Sequence, residues 1–428
     1  MRILVYPHDL GLGGSQLNAI DLAAAAAETG HEVCVYGDPG PLVDRVRSKG
    51  LEFVASPSPR RRPSSAVVRH LRATLRERRV DVVHGYEWPP VLEATLACVG
   101  TTARPFATVM SMAVADFLPR TVDLVVGTER IAAVERSRGR RRVDVLEPPV
   151  DLRENVRDTA SGVAFRRRWG IGRDATLVVS VARLAHELKL EGTLVAIDVV
   201  ADLAATTDVV LALVGDGPAR AEVDRRVAAA NARAGRRVVV TTGALTDPRP
   251  GYAAADIALG MGGSALRAMA FRTPVVVQGE RGFWRTLTPE SVDGFLWEGW
   301  YGVGRSPDDG ARYLRAELGP LLDDARRRAE LGAFAASVVA ERFSLEAAVR
   351  RQVALYTRTL ERATTVSGAI PDGARSATLF GEYEVRRQWN RRRGRAAVDD
   401  FNTVGIDDSN TVGIDDSNTV ADPRPVRA

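Results

Sequence analysis

Short apolar runs recur along this chain at the spacing of strands alternating with helices, and the series occurs twice. The first series is "RILVYPHD", "HEVCVYG", "LEFVAS", "DVVHGY", "PFATVMS" and "DLVVGT", with an alanine-rich helical segment, residues 15–29, after the first run. The second begins near Asp174 with "ATLVVSVARL", then a helical stretch over 189–205, "DVVLALVGDGP", "RRVVVTTG", "ADIALG" and "PVVVQG". Runs that are apolar throughout, rather than alternating, suit strands buried on both faces, so each series predicts a parallel sheet covered by helices. The expected fold class is α/β: two Rossmann-like doubly wound domains facing across a cleft, with ligands approaching the carboxyl ends of the strands.

Proline-interrupted "VLEPPVDLRENVRD" supplies a linker near residues 146–160. It divides an N-terminal domain, residues 1–150, from a second domain, residues 151–343. Beyond Pro307 the pattern turns helical, and "RFSLEAAVRRQVALYTRTLERA" carries an apolar face through Leu345, Ala348, Val349, Val353 and Tyr356. Residues 364–428 hold the basic run "RRQWNRRRGR" and two copies of "NTVGIDDS", read as a low-complexity, largely disordered tail.

No run of eighteen apolar residues occurs, and the start of the chain has no signal-peptide pattern, so the expected location is cytoplasmic. Cys34 and Cys98 are too few for a disulfide framework and lack zinc-site spacing, which leaves buried thiols. The net charge of +5 is gathered in arginine runs, among 57 arginines and two lysines. Two readings follow: peripheral contact with an anionic membrane at its inner face, or arginine as the default surface cation. No aromatic-interleaved RNA motif or zinc finger supports a nucleic-acid partner.

Three stretches carry candidate chemistry. In "DLGLGGSQLNAIDLAAAAAETG", a glycine-rich turn through Gly13 and Gly14 precedes a helix, where backbone N–H groups and the helix dipole suit an anion; a tight βα turn is the alternative. In "VARLAHELKLEG", Arg183 leaves a strand end and Lys189 meets the next helix, so two cations stand ready to grip a diphosphate. Lys189 is one of two lysines in an arginine-dominated chain, which points to a compact charge being required there. In "LGMGGSALRAMAF", Gly262, Gly263 and Ser264 form a second phosphate-side turn. With Ser264 as N-cap, Arg267 would occupy the third helical position, mismatched to the dipole unless an anion such as Glu280 lies nearby. His8 and His84, at two strand ends, are candidates for acceptor contact or proton handling, or packing histidines.

Together, "VARLAHELKLEG", "LVGDGPARAEV", "VTTGALTDPRPGYAAADIALGMG", "ALRAMAFRTPVVV" and "RFSLEAAVRRQVALYTRTL" resemble the C-terminal half of nucleotide-sugar-dependent glycosyltransferases of the GT-B fold. The likeness is to retaining family four in particular. "GLGGSQLNAIDLAAAAAETGHEV" and "DVVHGYEW" are similar to that family's acceptor-side domain, and the resemblance spans roughly residues 1–362. It implies that Arg183 and Lys189 hold the donor diphosphate and that Gly13 and Gly14 reach the donor phosphate. The helix over 344–362 would cross back to complete the N-terminal domain. The chain departs from the family at Leu259 and Arg267, where the resemblance expects two glutamates separated by seven residues. It departs again at Met110 and Ser111, where a histidine is usual.

The expected activity is therefore sugar transfer, of the hexosyl type in the family's sense, from a nucleotide diphosphate sugar to a glycan, lipid-linked or small-molecule acceptor. Transfer would be retaining and metal-independent, without a cofactor; no Asp-x-Asp occurs to hold a metal diphosphate. Arg183, Lys189 and His84 are the catalytic candidates, and Gly13, Gly14, Arg183, Lys189, Gly262, Gly263, Ser264 and Arg267 the donor-binding ones. A catalytically inactive binding or regulatory partner, and a sugar-nucleotide epimerase, are the competing readings.

Overall fold

A computed structural model of the chain describes residues 1–11, 13–58, 61–186, 188–362 and 366–393. The described residues separate into two compact units, one of Met1–Pro149 with those from Leu345 to Arg393, the other of Val150–Ser344.

The first unit begins β1 (Arg2–Tyr6), α1 (Gly14–Glu28), β2 (Glu32–Gly37), α2 (Val43–Ser48), β3 (Glu52–Ala55) and α3 (Ser65–Glu77). It continues β4 (Val82–Tyr86), α4 (Trp88–Cys98), β5 (Arg104–Val109), β6 (Asp123–Val126), α5 (Glu129–Ser137) and β7 (Val143–Val145). These strands form a parallel sheet in the order β3-β2-β1-β4-β5-β6-β7. The period of two along a strand explains its apolar runs. Ile3 and Val5 of β1 enter one cluster with Ala19 and Ile20 of α1, while Leu4 and Tyr6 enter another with Leu71 of α3 and Ala94 of α4. Both cysteines are buried in this second cluster as free thiols.

The second unit runs α6 (Thr159–Trp169), β8 (Thr176–Val181), α7 (Leu190–Leu203), β9 (Val209–Val214), α8 (Arg220–Ala234), β10 (Val239–Gly243) and α9 (Arg249–Ala254). It then runs β11 (Ile257–Gly260), α10 (Gly263–Ala270), β12 (Val275–Gln278), β13 (Trp284–Thr286), α11 (Val292–Glu298), α12 (Gly310–Asp323) and α13 (Ala325–Arg342). The sheet order is β10-β9-β8-β11-β12-β13, parallel except for the antiparallel edge strand β13. Strands β7 and β13 have three residues each, too short to leave a periodic signal.

Two further helices complete the first unit. In α14 (Leu345–Glu361), Leu345, Ala348, Val349, Leu355 and Tyr356 join the cluster of α1 and β1, as the apolar face in the sequence suggests. The expectation of a largely disordered tail from residue 364 is corrected over α15 (Val366–Arg392), where Leu379, Phe380 and Tyr383 pack with Trp88 and Phe117. A low-complexity composition hid three well-placed apolar residues at helical spacing. The repeated "NTVGIDDS" segments lie outside the described residues.

In each sheet the chain winds outward one way and then reverses, between β1 and β4 in one and between β8 and β11 in the other. Such a reversal separates the loops that leave neighbouring strands and opens a crevice at their carboxyl ends. The candidate residues gather at these two edges.

Candidate active site

At the second unit's edge, the loop after β8 is pinned by backbone bonds. Ala182 N donates to Val214 O at 3.0 Å, Leu184 N to Asp216 O at 2.9 Å, and Ala219 N to Leu184 O at 2.9 Å. This close approach requires glycine on the facing loop. A Cβ at Gly215 (φ +148°) would sit 1.9 Å from Ala182 O, and one at Gly217 (φ +159°) 2.4 Å from Leu184 O. Arg183 thus rides on a fixed backbone, with its side chain exposed and without a hydrogen bond or ion pair among the described residues.

Lys189 is the N-cap of α7. Its carbonyl accepts from Thr193 Oγ1 at 2.9 Å and from Gln278 Nε2 at 3.1 Å, which ties the helix start to the end of β12. Its ammonium group has no partner among the described residues, and burial lowers its pKa to about 8. An ammonium that is desolvated without a counter-charge favours a bound anion, which would restore its charge. Two such cations on one βα loop can hold a diphosphate and stabilise charge that develops on it as it departs.

The turn after β11 differs from its sequence reading. The N-cap of α10 is Gly262, and Ser264 lies inside the helix, where its hydroxyl bonds Met261 N at 3.1 Å and Met261 O at 2.9 Å. Arg267 consequently stands in the last turn of this eight-residue helix, half-buried, where a cation suits the dipole. The expected mismatch at the third helical position is absent because the helix starts earlier. Glu280 is engaged by the Tyr301 hydroxyl. The N–H groups of Gly262, Ser264, Ala265 and Leu266 already donate to backbone carbonyls, so the turn through Gly262 and Gly263 retains little anion-binding capacity. Leu259 lies in β11 and faces the same core cluster as Ile257.

At the first unit's edge, Gly13 is the N-cap of α1 and Gly14 its first residue, with no side-chain cap and open space where a Gly14 Cβ would stand. The first turn of this fifteen-residue helix therefore offers unpaired N–H groups. Beside it stands Glu87, which the sequence reading passed over. It separates β4 from α4 at φ +65° and ψ 170°, a backbone region essentially confined to glycine. Its carboxyl accepts from Ser111 Oγ at 2.6 Å, Met110 N at 2.9 Å and Ser15 Oγ at 3.4 Å. Burial raises its pKa against the opposing effects of these bonds and of nearby His8. His8 Nδ1 is itself buried without a partner among the described residues. A carboxyl with a raised pKa beside an imidazole nitrogen that lacks a partner can hydrogen-bond and orient a hydroxyl. The available sequence signal was Glu87's place between the strand "DVVHGY" and the helix start "WPP".

His84 is corrected from a catalytic candidate to a core residue. It is fully buried, with Nδ1 at 2.6 Å from the Tyr356 hydroxyl and Nε2 at 2.7 Å from Thr108 Oγ1. Desolvation lowers its pKa to about 3, so the ring is neutral and both nitrogens are occupied. Among the described residues, no group of three or more His, Cys, Asp or Glu side chains is placed to hold a metal ion.

Comparison with known proteins bears on this geometry. Residues 12–154 match the model for Glycosyltransferase Family 4, and residues 175–300 that for Glycosyl transferases group 1. A 2-deoxystreptamine glucosyltransferase of Streptomyces kanamyceticus is 33% identical over 182 residues, covering 40% of this chain. The match spans 46% of that relative, about half its length. A glycosyltransferase structure from Rickettsia africae superposes with a TM-score of 0.66 at 16% identity, over 85% of this chain and 99% of its own. The Anabaena protein HepE in complex with UDP gives 0.66 at 14% identity, over 84% and 100%. Strands β2 to β7 of the first sheet thus lie within the stretch matched by one glycosyltransferase model and the second sheet within that matched by another, and the chain shares the two-sheet GT-B fold of these solved structures.

Proposed function

We propose that this chain transfers a sugar from a nucleoside diphosphate sugar to a glycan, lipid-linked or small-molecule acceptor, with retention at the anomeric carbon and without a resident metal or cofactor. The observation that carries this reading is the pair Arg183 and Lys189, both unpaired among the described residues, on a backbone pinned at the reversal point of the second sheet. As the bond from the anomeric carbon to the diphosphate oxygen breaks, negative charge grows on the phosphates, and these two cations stabilise it. The acceptor oxygen forms the new bond on the same face, and its proton passes to the departing phosphate oxygen. Glu87 and His8, in the first unit, are the groups we assign to acceptor contact. The HepE complex with UDP supports a uridine nucleotide as the first donor to test, and the Streptomyces relative supports hexosyl transfer.

A second reading, a non-catalytic relative that keeps nucleotide binding, is favoured by Leu259 and Arg267 at the positions where carboxylates are expected. A thermal-shift screen against uridine, guanosine, adenosine and thymidine diphosphates and their glucose conjugates, followed by turnover with the donor that binds, separates the two. Saturating donor at 100 times its Kd should stabilise the protein by about 2.7 kcal/mol. Donor-dependent transfer supports the enzyme, binding without donor cleavage supports the second reading, and no binding by any nucleotide refutes both.

A further inference from the structure

Helix α15 has two faces of opposite fate. Its inner face sets Leu379, Phe380 and Tyr383 against Trp88 and Phe117, while Asp372 accepts from Thr121 N and Oγ1 at 2.8 Å each. On the outer face, Ile370, Val385 and Trp389 are 71%, 70% and 56% exposed. At about 100° per residue these three fall within a sector about 100° wide, with Ala374, Thr378 and Gly381 between them and Ala377 at its edge. Ile370 and Val385 are about 22 Å apart along the axis. The result is a long, shallow, uncharged line rather than a groove.

A cationic flank runs beside it. Arg386 and Arg393 fall within about 20° of one another on the helix, in line with Arg375, whose guanidinium is held by Asp372, Asp116 O and Leu118 O, and the Arg393 guanidinium lies 4.3 Å from the Trp389 ring centroid. Next to the Arg375 end opens a cavity of about 430 Å³ lined by Arg120, Arg141 and Arg142. Its carboxylate, Asp372, is already engaged by Thr121 and Arg375, Glu384 pairs with Arg387, and exposed Glu382 stands between the apolar line and the two outward arginines, Arg386 and Arg393. Positive charge along this side therefore exceeds the local carboxylates.

We propose that the outer face of α15 docks on an anionic bilayer surface, with Ile370, Val385 and Trp389 entering the headgroup boundary and the arginine flank meeting lipid phosphates. Exposed apolar side chains edged by cations match the two forces that hold a helix in that interface. A flat surface also suits a line this long and this poor in relief. No helix among the described residues is long and apolar enough to cross a membrane, so the contact is peripheral.

The test is co-sedimentation of the full chain with vesicles of phosphatidylcholine alone and of phosphatidylcholine mixed with phosphatidylglycerol. The protein should pellet with the anionic vesicles only and be released by high salt. R386Q/R393Q should weaken binding about 25-fold, at roughly fivefold per arginine. V385S/W389S, and independently Ala377→Glu, should weaken it at least tenfold with thermal unfolding unchanged. Equal binding to both vesicles, no binding to either, or full binding by correctly folded variants would overturn the proposal. So would a dimer abolished by V385S/W389S in a chain that ignores vesicles, which would assign the face to a second copy.

Discussion

The two sheet edges share one architecture and differ in sign. Each lies where the strand order reverses, yet one presents Arg183 and Lys189, and the other presents Glu87, His8 and an uncapped helix start. Topology thus selects where ligands arrive, while a few side chains select which chemistry arrives there. The contrast extends to rigidity. The cationic edge is held by backbone bonds and two glycines that admit no Cβ. The acidic edge is held by side chains converging on one strained residue.

The sharpest way to break this contrast is to remove the charge from the cationic edge. Arg183→Ala or Lys189→Ala should lower kcat/KM by about 10²–10³-fold, in the range found when one transition-state donor is deleted, and steady-state kinetics with saturating acceptor will show it. Unchanged turnover in both variants would remove the assignment. Gly215→Ala attacks the same edge through its backbone. With the added Cβ 1.9 Å from Ala182 O, urea denaturation should register a loss of about 3 kcal/mol.

At the other edge, His84→Ala separates packing from chemistry. It leaves the Tyr356 and Thr108 hydroxyls without their shared partner, so stability should fall by about 2–3 kcal/mol while kcat of the folded fraction stays within about threefold. A selective loss of kcat would return His84 to the site. Glu87→Gln keeps the size but replaces the ionisable, acceptor-only carboxyl with an amide. We expect an approximately tenfold rise in acceptor KM, with donor affinity unaltered, measured by varying each substrate in turn.

The smallest effect concerns pH. The Lys189 ammonium is charged below about 8 and neutral above it, so calorimetric affinity for UDP should begin to weaken above about pH 8, by at most tenfold per unit. Lys189→Arg should hold its affinity to higher pH. A profile that is flat to pH 10 in the parent chain would place the ammonium outside the phosphate's reach.

Much of this was legible without coordinates, for a local reason. A parallel strand buried on both faces must be apolar throughout, so "RILVY" and "TLVVSV" disclose both sheets, and a cation in the loop after such a strand stands at the ligand edge wherever the rest folds. Arg183 and Lys189, six positions apart, needed no long-range information. The helix start at Gly262 did, because Trp300 O binds its N–H.

What tertiary structure decided rests on residues distant in the chain. The imidazole of His84 is silenced by Tyr356, 272 positions away, and nothing near "DVVHGY" records that α14 returns to cover it. Glu87 acquires its character from Ser15, Met110 and Ser111, and α15 is ordered by Trp88 and Phe117. Periodicity and turn chemistry are properties of neighbours, so the sequence by itself determined the two sheets and the cationic loop. Desolvation and hydrogen-bond satisfaction depend on which distant surfaces meet, and they alone decided which titratable residues are free to act.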